Sequence, residues 1–374
     1  MKNILCTLIF AILFSLSASA ADVMPLRGVV YDCGLNFNGN SLSVKDFRTD
    51  VVDYDMGIIK NILRCNAVRI EGESINRLVT AARLANARGL KVFFNPWKHA
   101  VGPEEVINYM DSAAIEAEKL RKEGVDITFI TGCEYTLFNK GVYPGETFND
   151  RFQWLMQLGT SGKSLEELMK EFEAKNKTLN EILRKIAGTV RSKFNGPVGY
   201  SAGTWENVDW SLFDLVGIDN YRRGETDEVY KAGMERYKQY GKPVVIMEFG
   251  CCAYEGAAPR GGEAFAILQG TDADGNGIYE GGVTPKRSEK EQADYIEGVL
   301  RLMEEAGMEG GFVYVFSYPI YPYRDKGCDL DMTSYSLVKS FDTDDVRSRQ
   351  MPPWQPKEAF YRLGQIYNEM QNRE

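Results

Sequence analysis

The chain has 374 residues, with 53 acidic against 44 basic side chains, a net charge of −9 and one histidine. Such a balance offers no basic stripe for nucleic acid or an anionic membrane surface. A single histidine, His99, also excludes metal centres built on several histidines and leaves Ser-His-Asp chemistry only that residue.

In chain order, Lys2 and the apolar run Ile4 to Leu16 precede Ala18-Ser19-Ala20, a small-x-small cleavage site. Residues 1–20 are therefore expected to be a signal peptide, and the mature protein, 21–374, to be secreted or periplasmic. Cys6 lies too early in the apolar run to carry a lipid. No later stretch reaches the ~18 apolar residues of a membrane span. Cys33, Cys65, Cys133, Cys251, Cys252 and Cys328 remain after cleavage. They lack paired C-x-x-C spacing, which argues against structural zinc, and their pairing stays open.

The pattern then gives eight strand-then-helix units. Strand one is Arg27 to Asp32, with a helix near Asp46 to Leu63. Strand two is Ala67 to Ile70, with a helix from about Ser74 to Arg88. Strand three is Lys91 to Asn95, and Pro103 opens a helix to about Glu123, proline being tolerated in a first turn. Strand four runs Val125 to Glu134, and a long segment follows before Leu179, Ile182, Leu183, Ile186 and Val190 appear at helical spacing. Strand five is Pro197 to Ser201 and strand six Leu215 to Asp219, with a helix near Asp227 to Tyr240. Strand seven, Pro243 to Glu248, is a continuous apolar run of the kind buried on both faces of a parallel sheet. After an irregular insertion, Ser288-Glu289-Lys290-Glu291 reads as a capping box. Strand eight is Gly310 to Phe316, and a last helix holds Phe360, Leu363, Ile366 and Met370. This α/β alternation, without a linker or repeat, predicts a single (β/α)8 TIM barrel over 21–374, with long loops after strands 4, 7 and 8.

Strand C-termini of such a barrel open on one face, where catalytic groups gather. That rim carries Asp32, Cys33, Arg69, Asn95 to His99, Cys133, Glu134, Ser201, Asn220, Tyr221, Glu248 and Phe316. Glu134 and Glu248 suit glycoside hydrolysis, one acid protonating the leaving oxygen while the other carboxylate attacks the anomeric carbon. A retaining enzyme requires their carboxyls about 5–5.5 Å apart. Trp97, Trp154, Trp205, Trp210 and Trp354 all fall outside the predicted barrel helices, where flat indoles could stack on sugars.

Glutamates after strands four and seven, an arginine after strand two and a tyrosine after strand six resemble the clan A glycoside hydrolases. Thr131-Gly132-Cys133-Glu134, Gly199-Tyr200-Ser201-Ala202, Phe213 to Asp219 and Pro243 to Gly250 look most like the β-mannanases of glycoside hydrolase family 113. The resemblance implies Glu134 as acid/base and Glu248 as nucleophile, with Tyr221 donating to Glu248 and Arg69 holding it ionised. Substrate contacts are expected at Asn95, Trp97, His99, Trp205 and Phe316. Two residues depart from the resemblance. Cys133 stands where much of the clan has an asparagine that binds the sugar 2-hydroxyl, and Phe316 where many members have tryptophan. A thiol cannot replace the amide, so β-mannosides, with an axial 2-hydroxyl, are expected over β-glucosides, with Asn95 or His99 as substitute contacts.

The expected function is a secreted retaining glycoside hydrolase acting on β-linked polysaccharide or oligosaccharide, with a carbohydrate substrate and no required cofactor. Two other readings are a catalytically silent carbohydrate-binding barrel and a transglycosylase using the same glutamates. Within the insertion, Asp272, Asp274, Asn276, Ile278 and Glu280 follow the start of a calcium loop, a candidate structural calcium site. Val283 stands where that loop's closing glutamate belongs.

Overall fold

The computed structural model describes residues 23–37, 42–158, 161–325 and 329–373. The expected signal peptide and Cys328 lie outside the described residues. Eight parallel strands close into a barrel: β1 (Leu26–Asp32), β2 (Ala67–Gly72), β3 (Lys91–Pro96), β4 (Ile127–Cys133), β5 (Val198–Gly203), β6 (Val216–Asp219), β7 (Val244–Phe249) and β8 (Gly310–Val313). β1 pairs with β2 on one side and β8 on the other, which seals the ring. Helices α1 (Thr49–Asn61), α2 (Ile75–Ala87) and α3 (Pro103–Lys122) follow the first three strands. The short α4 (Tyr135–Phe138), α5 (Phe148–Gln157) and the long α6 (Leu165–Arg191) all follow β4. Next come α7 (Asp227–Glu235) after β6, α8 (Glu289–Glu305) after β7 and α9 (Glu358–Gln371) after β8. The fifth unit departs from the strand-then-helix pattern, crossing through a single 3-10 turn, Trp210–Leu212.

The period-2 alternation of strand side chains divides the core. Val68, Ile70, Val92, Phe94, Val216, Ile218, Val244 and Ile246 point outward onto the helices. Leu26, Val30, Ala67, Phe93, Ile130, Val245, Met247 and Phe312 fill the lumen. Gly28 leaves the space that Phe312 occupies; a Cβ there would run into its ring. Above this apolar plug, the same inward positions become polar at the strand C-termini: Asp32, Arg69, Glu71, Asn95, Ser201, Asp219 and Glu248 are all buried.

At α8, the Ser288 hydroxyl caps the Glu291 N–H at 3.3 Å as expected. The Glu291 carboxylate instead accepts from the N–H groups of Gly256 and Ala258, pinning the loop after β7. No helix among the described residues is long and apolar enough to cross a membrane. Cys33, Cys65, Cys133, Cys251 and Cys252 are buried and free.

Candidate active site

Both glutamate-bearing strands break the period-2 rule where the glutamates sit. In β4, Ile130 pairs with Gly199 but Cys133 with Ser201, so β4 carries one residue more than its partner. Gly132 sits at φ +121°, a conformation that favours glycine. In β7, Ile246 pairs with Ile218 but Glu248 with Asp219, again one extra residue. Such bulges re-aim side chains. Strict alternation would send Glu248 outward with Ile246; the bulge turns it into the lumen beside Met247.

Glu248 is clamped from two sides. Arg69 Nη1 donates to its Oε1 at 2.8 Å, with side-chain exposures of 0% and 8%. Tyr221 Oη donates to its Oε2 at 3.1 Å. Arg69 is itself fixed by the Met247 carbonyl at 3.0 Å, Asn95 Oδ1 at 2.9 Å and Glu71 at 3.4 Å. Burial and the charge of Glu248 raise the Tyr221 phenol well above its usual range, so it stays a donor. Cys133 Sγ lies 3.4 Å from both Glu248 Oε1 and Asp219 Oδ2, and Ser201 Oγ donates to Asp219 Oδ1 at 2.6 Å. Burial also raises the thiol, keeping it a neutral donor in this acidic nest.

Glu134 occupies the left-handed region, φ 41° and ψ 50°, a backbone state that surrounding structure must hold. Buried Glu206 supplies that brace. Its Oε1 accepts from the N–H and hydroxyl of Thr136 at 3.0 and 2.7 Å. Its Oε2 accepts from Tyr200 Oη at 2.8 Å, and that oxygen in turn accepts from the Tyr135 N–H at 2.8 Å. Glu134 is only partly exposed. Desolvation, then the charges of Asp219, Glu248 and Glu206, push its carboxyl well above the usual carboxylate range. Asp219 is raised by desolvation and Glu248, and Glu206 by desolvation to about 7.

Glu134, Glu248, Tyr221, Asp219, Trp97 and Trp205 line one cavity of about 360 Å³. Arg69 and Asn95 lie buried beneath it, with the Asn95 carbonyl oxygen already committed to Arg69. His99 is buried behind Trp97, ring centroids 4.4 Å apart, and stacks on Phe138 at 4.9 Å. Burial lowers its imidazole to about 3, so it is neutral. Neither Asn95 nor His99 is among the residues that line the cavity. Phe316 faces the outer core, against Tyr31 and Trp354; Tyr314, Val315 and Tyr318 line the cavity instead.

Trp154 sits in α5 against Tyr143, Trp210 packs on Phe213, and Trp354 donates to buried Asp55 at 2.9 Å, so these three are structural. Asp219, Glu71, Glu206 and Tyr200 were not singled out from sequence as site residues. The signal for Asp219 was its place at the end of strand six, next to Asn220-Tyr221.

The Asp272–Glu280 stretch folds as the turn of a hairpin, Leu268–Thr271 with Gly277–Tyr279. Asp272 accepts from the N–H groups of Asp274 and Asn276 and from the Asn276 side-chain amide.

No protein-family model matches the chain, and no curated protein matches it by sequence. Solved structures do match in fold. A GH113 β-1,4-mannanase superposes with TM-score 0.57 at 15% identity, covering 93% of this chain and 99% of its own. The GH113 β-mannanase AaManA from Alicyclobacillus acidocaldarius, in complex with ManMIm, gives 0.56 at 16%, covering 94% and 100%. The GH5_18 protein from Streptomyces cattleya, in complex with GlcNAc, gives 0.55 at 11%, covering 94% and 82%. The barrel is thus the fold of clan A glycoside hydrolase structures; at these identities the likeness concerns the fold.

Proposed function

We propose that this protein is a retaining β-glycosidase working by double displacement. Glu134 gives its proton to the glycosidic oxygen as the bond from that oxygen to the anomeric carbon breaks. The Glu248 carboxylate forms the new bond to that carbon, giving a glycosyl ester. Water then gives a proton to Glu134, attacks the anomeric carbon and frees Glu248, so one water is consumed per bond cleaved. The observation that carries this reading is the contrast between two carboxyls in one cavity. One is clamped by a guanidinium and a phenol; the other is pushed up by desolvation and neighbouring charge, as a general acid requires.

The fold likeness to β-mannanases makes β-mannosides the first glycone to test, as manno-oligosaccharides and as aryl glycosides. Export is part of the proposal and rests on the leader-like residues 1–20; N-terminal sequencing of exported protein should begin at Ala21. Turnover of any β-glycoside separates this reading from a silent binding barrel, and acceptor-dependent products identify a transglycosylase.

The decisive variant is Glu248→Ala. It should lose turnover, and added azide should restore part of it with formation of the α-glycosyl azide. Full activity in that variant ends the proposal.

A further inference from the structure

The two halves of the rim differ in chemistry. The half that carries Glu134 is built by the loops after β1, β3, β4 and β5. There the cavity wall consists of Phe37, Trp97, Leu137, Phe138, Phe148, Phe152 and Trp205, with Thr204 as its polar exception. These rings form one continuous cluster. Phe37 meets Phe138 at 6.2 Å, Phe138 meets Phe148 at 5.0 Å, and Phe148 lies parallel to Phe152 at 5.9 Å and 10°. Each of these four phenylalanines is half-buried, with part of its surface open. Trp205 Nε1 donates to Thr136 Oγ1 at 3.0 Å, and that hydroxyl donates to Glu206, so both are turned away from the cavity; Trp97 Nε1 is buried and has no hydrogen-bond partner among the described residues.

The half that carries Glu248, from the loops after β6, β7 and β8, is different. Apart from Phe265, Val315 and Ile320, it offers Tyr221, Tyr314, Tyr318 and Tyr335, the Arg223–Glu263 ion pair, Thr333 and Ser334. Phenols and hydroxyls suit a sugar ring rich in hydroxyl groups.

The general acid must reach the leaving oxygen, so the leaving group departs toward the Glu134 half. A second sugar there could stack only the C–H face of its ring on these phenylalanines, and the hydroxyls around its edge would meet an apolar wall with few partners. Each hydroxyl left without a partner costs about 1–3 kcal/mol. An apolar group instead gains about 25 cal/mol for each Å² it removes from water. The geometry points to a small-molecule β-glycoside with an apolar aromatic or alicyclic aglycone as the substrate class. The cavity of about 360 Å³ is in the range of small-molecule sites, ~300–1,000 Å³. This rests on the glycosidase reading and replaces, on the leaving-group side, the polysaccharide expected from the sequence. The aglycone leaves as a neutral alcohol or phenol carrying the Glu134 proton.

The test uses the full mature chain and compares non-activated alcohol leaving groups. A panel of 4-nitrophenyl β-glycosides first selects the glycone. With that glycone, kcat/KM is measured for the 2-phenylethyl glycoside, the methyl glycoside and the matching disaccharide, all alcohol leaving groups. The phenylethyl glycoside should exceed the other two about 10–200-fold, the range for apolar increments in a pocket. Phe148→Ser and Phe138→Ser should lower the ratio of phenylethyl to methyl kcat/KM about tenfold, toward one. A disaccharide turned over as fast as the phenylethyl glycoside, or a ratio unmoved in both variants, overturns the aglycone assignment. If no glycoside turns over, and a 2-deoxy-2-fluoroglycosyl fluoride fails to label Glu248, the glycosidase reading falls instead.

Discussion

Replacing Arg69 by methionine tests whether one buried guanidinium organises the site. Methionine keeps the bulk and removes the charge. In the native site Arg69 is fully buried, and its Nη1 lies 2.8 Å from the Glu248 carboxylate. Removing one partner of a buried pair costs about 3–5 kcal/mol, because the other charge remains buried without compensation. The Met247 carbonyl and Asn95 Oδ1 lose donors as well, so the upper part of that range applies. At about 2.1 cal/mol/K per residue the unfolding entropy of a chain this long is roughly 0.75 kcal/mol/K, so the melting temperature should fall by about 5–7 °C. The sign with pH follows from linkage: folded Arg69→Met holds a carboxylate that would rather be protonated, so it binds protons more readily than the unfolded chain. Its deficit therefore shrinks as pH falls and grows as pH rises. Arg69→Lys restores the charge without the fork and should recover part of the loss. Calorimetry at several pH values, paired with aryl glycoside turnover, reads both effects. A melting temperature within about 1 °C of wild type in Arg69→Met, under ~1 kcal/mol at this size, together with intact turnover, would refute the reasoning.

Asp219 and Glu134 can be tested through the pH profile. Asp219 is the largest single charge raising the Glu134 carboxyl, so Asp219→Asn should favour the ionised form. The alkaline limb of kcat/KM should then move to lower pH, by ~1 unit for a nearby charge; an unmoved or upward-moving limb contradicts the assignment of Glu134 as the acid. If the Asp272 stretch is only a hydrogen-bonded turn, millimolar calcium should leave the melting temperature unchanged. A calcium-dependent rise, with protection of residues 272–280 from proteolysis, would instead establish an ion site there.

Much of the architecture was legible in local pattern. Val244 to Phe249 reads as a strand because a parallel barrel strand is buried on both faces and its sequence can be apolar throughout. Pro103 and Ser288 mark helix starts because first-turn N–H groups lack intrahelical partners. The placement of Arg69 and Tyr221 beside Glu248 followed from resemblance at strand ends, since barrel topology carries those ends to one rim. The tryptophans show the opposite case. All five lie outside the predicted barrel helices, yet only Trp97 and Trp205 line the cavity, since nothing in a loop's composition says which way its indole turns.

The sequence by itself determined the eight-fold strand count, the two glutamates at strand ends and the net acidic character. These are properties of local periodicity and charge. Only the tertiary structure decided which way the side chains point. One extra residue in β4 and one in β7 shift the register against neighbouring strands, and so turn Cys133 and Glu248 into the lumen. A bulge is defined by the partner strand, so it leaves no mark in the period of its own strand. The outward turn of Phe316, the Glu206 brace beneath Glu134 and the phenylalanine wall likewise depend on segments far apart in the chain, and exist only once the barrel closes.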